Sequence, residues 1–95
     1  MQDIYVNPHG YNIDIPYTLT TWTNYKAQHD GIIQICAYNG GWVSLANTYT
    51  NEKYASRLDN TNQYNPCILS IHAKKGDNIN FYIDGTVLEF KEFYK

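Results

Sequence analysis

Apolar residues recur at every second position along most of this chain, and helical periodicity is nearly absent. Ile33, Ile35 and Ala37 fall on one face of a run; so do Leu69, Ile71 and Ala73, then Ile79, Phe81 and Ile83, and finally Leu88 and Phe90. Strict alternation marks half-buried β-strands, because successive side chains point to opposite faces. The pattern predicts strands over Tyr11–Ile15, Leu19–Ala27, Ile32–Tyr38, Trp42–Asn47, Cys67–Ala73, Ile79–Ile83 and Val87–Tyr94. Turn chemistry separates them: Gln28-His29-Asp30-Gly31, Asn39-Gly40-Gly41, Lys74-Lys75-Gly76-Asp77 and Asp84-Gly85. Asn39-Gly40-Gly41 tolerates positive φ and suits a tight hairpin into Trp42. Ile68–Gly85 reads as a second hairpin, with Gly76 present for turn geometry. The polar stretch from Thr48 to Pro66 leaves two readings open. Tyr54 and Leu58, at i and i+4, would suit a short turn of helix over Asn51–Leu58; a further strand over Lys53–Leu58 would suit the rest. Seven or eight strands at roughly ten-residue spacing imply an antiparallel sandwich or barrel.

Composition narrows this picture. The 95 residues make one domain, 1–95, near the lower end of size for a single core. Ten tyrosines inflate the apolar fraction of 43%, and each hydroxyl needs water or a partner, so the aliphatic core is thin. Cores of this kind often lean on oligomerisation, disulfides or metal. The net charge of −2 argues against nucleic-acid binding, which needs a basic face to displace counterions. No apolar run approaches the ~20 residues that would insert into a membrane as a helix, and no signal-peptide pattern follows Met1-Gln2-Asp3. Strand parity points one of Cys36 and Cys67 outward and the other into the core, which disfavours a disulfide. No Cys-x-x-Cys pair offers a zinc site.

The segments "YKAQHDGIIQICAY", "LSIHAKKGDNINFYID" and "VLEFKEF" together resemble a known family. They look like the small jelly-roll head domains at the C-terminal tips of bacteriophage tail fibres and receptor-binding proteins. Those heads are related in shape to the trimeric tumour-necrosis-factor-like and complement globular-head folds. The likeness rests on an aromatic-Lys-Ala segment ending in Asp30-Gly31, the Lys75-Gly76-Asp77 turn before a penultimate strand, and a last strand carrying Phe90, Phe93 and Tyr94. It covers about Leu19 to Lys95. Residues 1–17 have no counterpart, and are expected to be an added edge strand or the remnant of a shaft. The resemblance implies an all-β antiparallel jelly-roll sandwich of about 7–9 strands, TNF-like. It also implies a homotrimer at a tail-fibre tip, extracellular on the virion, that attaches to a bacterial cell-surface receptor, commonly a glycan.

Candidate chemistry is sparse. His9, His29 and His72 are scattered, and none pairs with Cys or Ser in a catalytic spacing. His29 is most simply a turn residue and His72 a surface one. No nucleophile-elbow, zincin or phosphate-cradling motif occurs, so no catalytic residue, metal site or cofactor is expected. Asp59–Asn65 ("DNTNQYN") brings a single carboxylate, which suits a polar loop with Asx-turns better than a calcium site. The residues that mix aromatic rings with amides and charges, as a saccharide site does, are Tyr49, Asn51, Tyr54, Arg57, Asp59, Asn60, Asn62 and Tyr64. The plainer alternative is tyrosines capping the core and asparagines making turns. Trp22 and Trp42, each inside strand-like alternation, suit the core or an interface better than a sugar platform. Ile32, Cys36 and Tyr38 lie opposite the core face of their strand, so a monomer would leave them in water and a trimer interface would bury them. Taken together, the sequence points to a non-enzymatic receptor-recognition and trimerisation head, with Lys74-Lys75-Gly76-Asp77 structural. The alternatives are a monomeric carbohydrate-binding module or lectin of a secreted bacterial protein, and a trimerisation cap without a ligand.

Overall fold

The computed structural model describes residues 9–14 and 19–95. It contains eight strands among these residues: β1 (His9–Asn12), β2 (Thr23–Lys26), β3 (Gly31–Tyr38), β4 (Trp42–Asn47), β5 (Glu52–Arg57), β6 (Cys67–Ala73), β7 (Asn78–Ile83) and β8 (Thr86–Tyr94). They form two four-stranded sheets in the orders β1-β8-β3-β6 and β2-β7-β4-β5. Every ladder is antiparallel. These interleaved orders are those of a jelly roll.

Alternation does its expected work in the centre. Ile33, Ile35, Ala37, Ile71, Ile79, Phe81, Ile83 and Phe90 are buried between the sheets, joined by Val43, Leu45 and Leu58. Phe81 of one sheet meets Phe90 of the other edge-on, with ring centroids 4.8 Å apart. Leu88 departs from the expectation and is 48% exposed. The register between β3 and β8 shifts at Cys36/Ala37, so that Glu89 pairs with Cys36 and Val87 with Ala37. Leu88 is the extra residue of that bulge and loses its inward parity.

Two turns do not make the hairpins that their sequences suggest. Asn39-Gly40-Gly41 leads from β3 in one sheet to β4 in the other, and Lys74–Asp77 leads from β6 to β7 across the same gap. Both are corners that change sheet. The one hairpin between consecutive described strands is β4–β5, through Thr48–Asn51, with Asn51 at φ 63°. The strand reading of Lys53–Leu58 therefore prevails over the helical one. Of the strand expected over Tyr11–Ile15, β1 forms through Asn12 at the edge of its sheet, while Ile15 and Pro16 lie outside the described residues. The expected shaft remnant or added strand of residues 1–17 is described at residues 9–14 alone, where β1 is integral to the roll.

Cys36 and Cys67 are both free. Cys67 packs against the core, whereas Cys36 sits on the outer face between Ile68 and Glu89. Cys36 is nevertheless buried within the single chain, and Ile32 and Tyr38 are half-buried. This corrects the expectation that a monomer would leave all three in water.

Candidate functional site

Every backbone N–H of the Lys74-Lys75-Gly76-Asp77 corner has a hydrogen-bond partner. Asp77 Oδ2 accepts from Lys74 N (3.0 Å) and from the side-chain amide of buried Asn47 (2.8 Å). Lys75 N donates to Asp30 Oδ1 (2.7 Å), and Gly76 N to Ala27 O (2.8 Å). The Asn47 amide and the Lys74 backbone N–H hold the Asp77 carboxyl below its ordinary pKa. A cavity of about 380 Å³ opens beside this corner, lined by Asp30, His72, Lys74 and Asp77. The two carboxylates facing it are already occupied as backbone anchors.

A second polar cluster is equally committed. Glu92 is 1% exposed and accepts hydrogen bonds from Tyr25 Oη, from Gln28 N (3.0 Å) and from His29 N (3.0 Å). Burial, and then the bond to Glu92, push the Tyr25 phenol far up. The His29 ring stacks on Tyr94 at 3.7 Å, with its Nδ1 3.6 Å from Glu92 Oε1. The arrangement clamps the β2–β3 loop onto β8. Cys36 is no better placed for chemistry, since burial, and then the neighbouring Glu89, raise its thiol pKa. Among the described residues, no group of three or more His, Cys, Asp and Glu side chains converges as a metal would require.

The segment expected to bind a ligand is spread along β5. Tyr49 and Asn51 lie in the turn before that strand, and Asp59, Asn60, Asn62 and Tyr64 in the loop after it, about 17 Å away across its six residues. Asn51 and Asn60 take positive φ (63° and 68°), and Asn62 Oδ1 accepts from Tyr64 N (2.8 Å) and Asn65 N (3.0 Å). The asparagines thus make turns. Tyr54 pairs with Leu45 on the side toward the second sheet, and its hydroxyl bonds to Glu52 (3.1 Å). Glu52 in turn accepts from His72 N of β6 (2.8 Å), tying together one lateral edge of the sandwich. Arg57, with Asp59 paired to it, reaches a different neighbourhood.

That neighbourhood is the outer face of β2-β7-β4-β5. Because Val43, Leu45, Ile79, Phe81, Ile83 and Tyr25 point inward, the residues between them must point out. Trp42 pairs with Arg57, Ser44 with Tyr82, Ala46 with Asn80, Asn80 with Asn24, and Asn78 with Lys26. Trp22, just before β2, joins them. Its ring meets Trp42 at 6.3 Å and 87°, and Tyr82 at 5.2 Å and 45°; Trp42 meets Tyr82 at 5.2 Å and 48°. Trp22 is 51% and Trp42 39% exposed, so neither belongs to the core. Of the two placements expected for them, core or interface, the core is excluded and an interface is compatible with their exposure. Parity could have found them: Val43 and Leu45 in the core force Trp42 out, and Phe81 and Ile83 do the same to Tyr82.

Beside the rings lies a fixed patch of amides. Asn24 Oδ1 accepts from Asn78 Nδ2 (3.3 Å) and Asn80 Nδ2 (3.1 Å), while Asn78 also donates to Thr48 Oγ1 (3.1 Å) and Asn80 to Thr23 O (3.3 Å). The Asn24 amide donors and the Asn78 and Asn80 carbonyl oxygens remain turned to solvent. Angled rings whose rotamers are fixed by mutual contact, next to prearranged donors and acceptors, can stack on an apolar C–H face and bond its hydroxyl edge. Comparisons with protein-family models, with curated proteins and with solved structures found no match.

Proposed function

We propose that this chain is a non-enzymatic recognition head of the tail-fibre type, and that it binds a bacterial surface glycan through the outer face of β2-β7-β4-β5. The observation that carries this reading is the solvent-facing Trp22–Trp42–Tyr82 cluster. Leaving two tryptophans in water serves no packing purpose, and their desolvation by a ligand supplies binding energy. The eight residues first singled out contribute through Arg57, at the rim beside Trp42. A homotrimer would use the opposite sheet, whose outer face bears Ile32, Tyr38 and exposed Ile68. That leaves the aromatic face free toward a host cell at a virion tip. The burial of Cys36 within one chain favours the second reading, a monomeric carbohydrate-binding module that uses the same face.

The test is a glycan array probed with the wild type, Trp22→Ala and Trp42→Ala. Each substitution should weaken the best glycan by about tenfold or more, or about 1.4 kcal/mol, with the melting temperature unchanged. Undiminished binding by both variants would remove the site from this face, and an array with no positive glycan would sink the reading.

A further inference from the structure

The charges on this same face are segregated along the strands. At the aromatic end, Arg57 is paired with Asp59 (3.3 Å), and Asp84 lies against Gly41. At the other end stand Lys26, paired in register with Asn78, and Lys53, paired with Ala46. Both lysines are exposed, and among the described residues neither meets a carboxylate. The carboxylates nearest in the fold are turned away and occupied: Glu52 by His72 N, and Asp77 by Asn47 and Lys74 N. The amide patch lies between the lysines, because Lys53, Ala46, Asn80 and Asn24 form one row across the sheet. With strands about 4.8 Å apart, Asn80 sits about 10 Å from Lys53 and one strand from Lys26, within reach of both flexible side chains. Thus a protein of net charge −2 places two unneutralised cations around an amide patch, roughly one sugar residue from its aromatic cup.

We infer that the ligand of this face is an acidic saccharide, whose pyranose ring rests on the Trp22–Trp42–Tyr82 cup while its anionic group lies over Asn80 between Lys26 and Lys53. This inference rests on the glycan reading above. The amides sharpen it. Asn78 and Asn80 have spent their donors within the patch and present carbonyl oxygens, which accept from sugar hydroxyls and repel a bare phosphate chain. Asn24 and the lysines supply the donors that an anionic substituent needs. A face with both complements fits a hydroxyl-rich acid better than a nucleic-acid backbone, and better than a neutral glycan, which would leave the cations unused.

The experiment compares α-1,4-trigalacturonate with its fully methyl-esterified form, which lacks the three charges and carries three methyl groups in their place, by titration calorimetry on the wild type and on Lys26→Gln/Lys53→Gln, whose charge loss separates the two differences. The acid should bind the wild type about tenfold more tightly than the ester, as two exposed charge contacts allow. The double variant should lose that preference, keep its ester affinity and keep its melting temperature. Raising salt from 20 to 300 mM should weaken the acid alone. Equal affinities for acid and ester would overturn the inference and leave the glycan reading standing. Failure of both trimers, while a neutral glycan on the array still depends on Trp22 and Trp42, would do the same. Tighter capture of an eight-residue oligothymidylate than of trigalacturonate would overturn the saccharide assignment itself.

Discussion

A carboxylate removed from water costs several kcal/mol unless donors surround it, and Glu92 has three groups aimed at it: Tyr25 Oη, Gln28 N and His29 N. Replacing it with Gln turns an amide NH₂ against N–H and O–H donors. Glu92→Gln should therefore cost about 2–3 kcal/mol in urea denaturation, whereas Glu89→Gln on the outer face should stay within about 0.5 kcal/mol. Asp77 gives the pH counterpart. Its folded pKa is lowered, first by the Asn47 amide and then by the Lys74 N–H, so its ionised form stabilises the fold. That contribution is fully present above the ordinary aspartate pKa and disappears as pH falls through the lower, folded one. Asp77→Asn keeps an oxygen for both donors and loses only the charge. The wild type's advantage in urea midpoint over Asp77→Asn should hold at neutral pH and shrink below about pH 4. The long-range partnerships were not legible in advance: Glu92 and Asp77 look like ordinary surface acids, and Gln28 lies 64 positions from the first and Asn47 30 from the second, whereas the Lys74 donor is local to the turn.

At the scale of elements, the corners that change sheet set the most stringent demands. A Cβ on Gly40 would run into the carbonyl oxygen of Asp84, where the β3–β4 corner crosses the end of β7. Gly76 has φ +95° with nothing within 4 Å of an added Cβ. Strain alone costs about 1–2 kcal/mol, while a collision with backbone adds the cost of moving a strand end. Gly40→Ala should thus lower the urea midpoint more than Gly76→Ala does, and the reverse order would show that the corner yields. The strands themselves were readable because the core uses alternate positions. The corners were misread as hairpins because Gly and Asn announce a reversal of the chain without saying which edge receives the next strand. Leu88 was misplaced for a related reason, since a bulge shifts parity locally and leaves no mark in composition.

For the whole molecule, the outer faces of the two sheets differ. One carries Trp22, Trp42, Tyr82 and amides; the other carries Ile32, Tyr38 and Ile68, with Leu88 exposed at its bulge. If the second face is the trimer interface, light scattering at tens of micromolar should give three times the 11.0 kDa chain mass. Ile68→Asp, at a position 57% exposed in the single chain, should reduce that mass without lowering the melting temperature of the protomer. A monomeric wild type would favour the carbohydrate-module reading, with the aromatic face unaffected.

The sequence by itself determined that the chain is all-β and antiparallel, which alternate positions supply most of the core, and that Gly76 serves a turn. Period-two burial is local, and each strand shows it without reference to its partner. The resemblance implied a jelly roll, whose strand order the tertiary structure supplies; tertiary structure alone decided that Tyr49 and Tyr64 part to opposite ends of β5, and that Trp22, Trp42 and Tyr82 meet. Those rings come from β7, β4 and the approach to β2, as much as 60 residues apart, and lateral pairing brings them together. Which strand lies beside which depends on the cost of closing every loop and covering every edge at once, a sum over the whole chain that no single stretch of it carries.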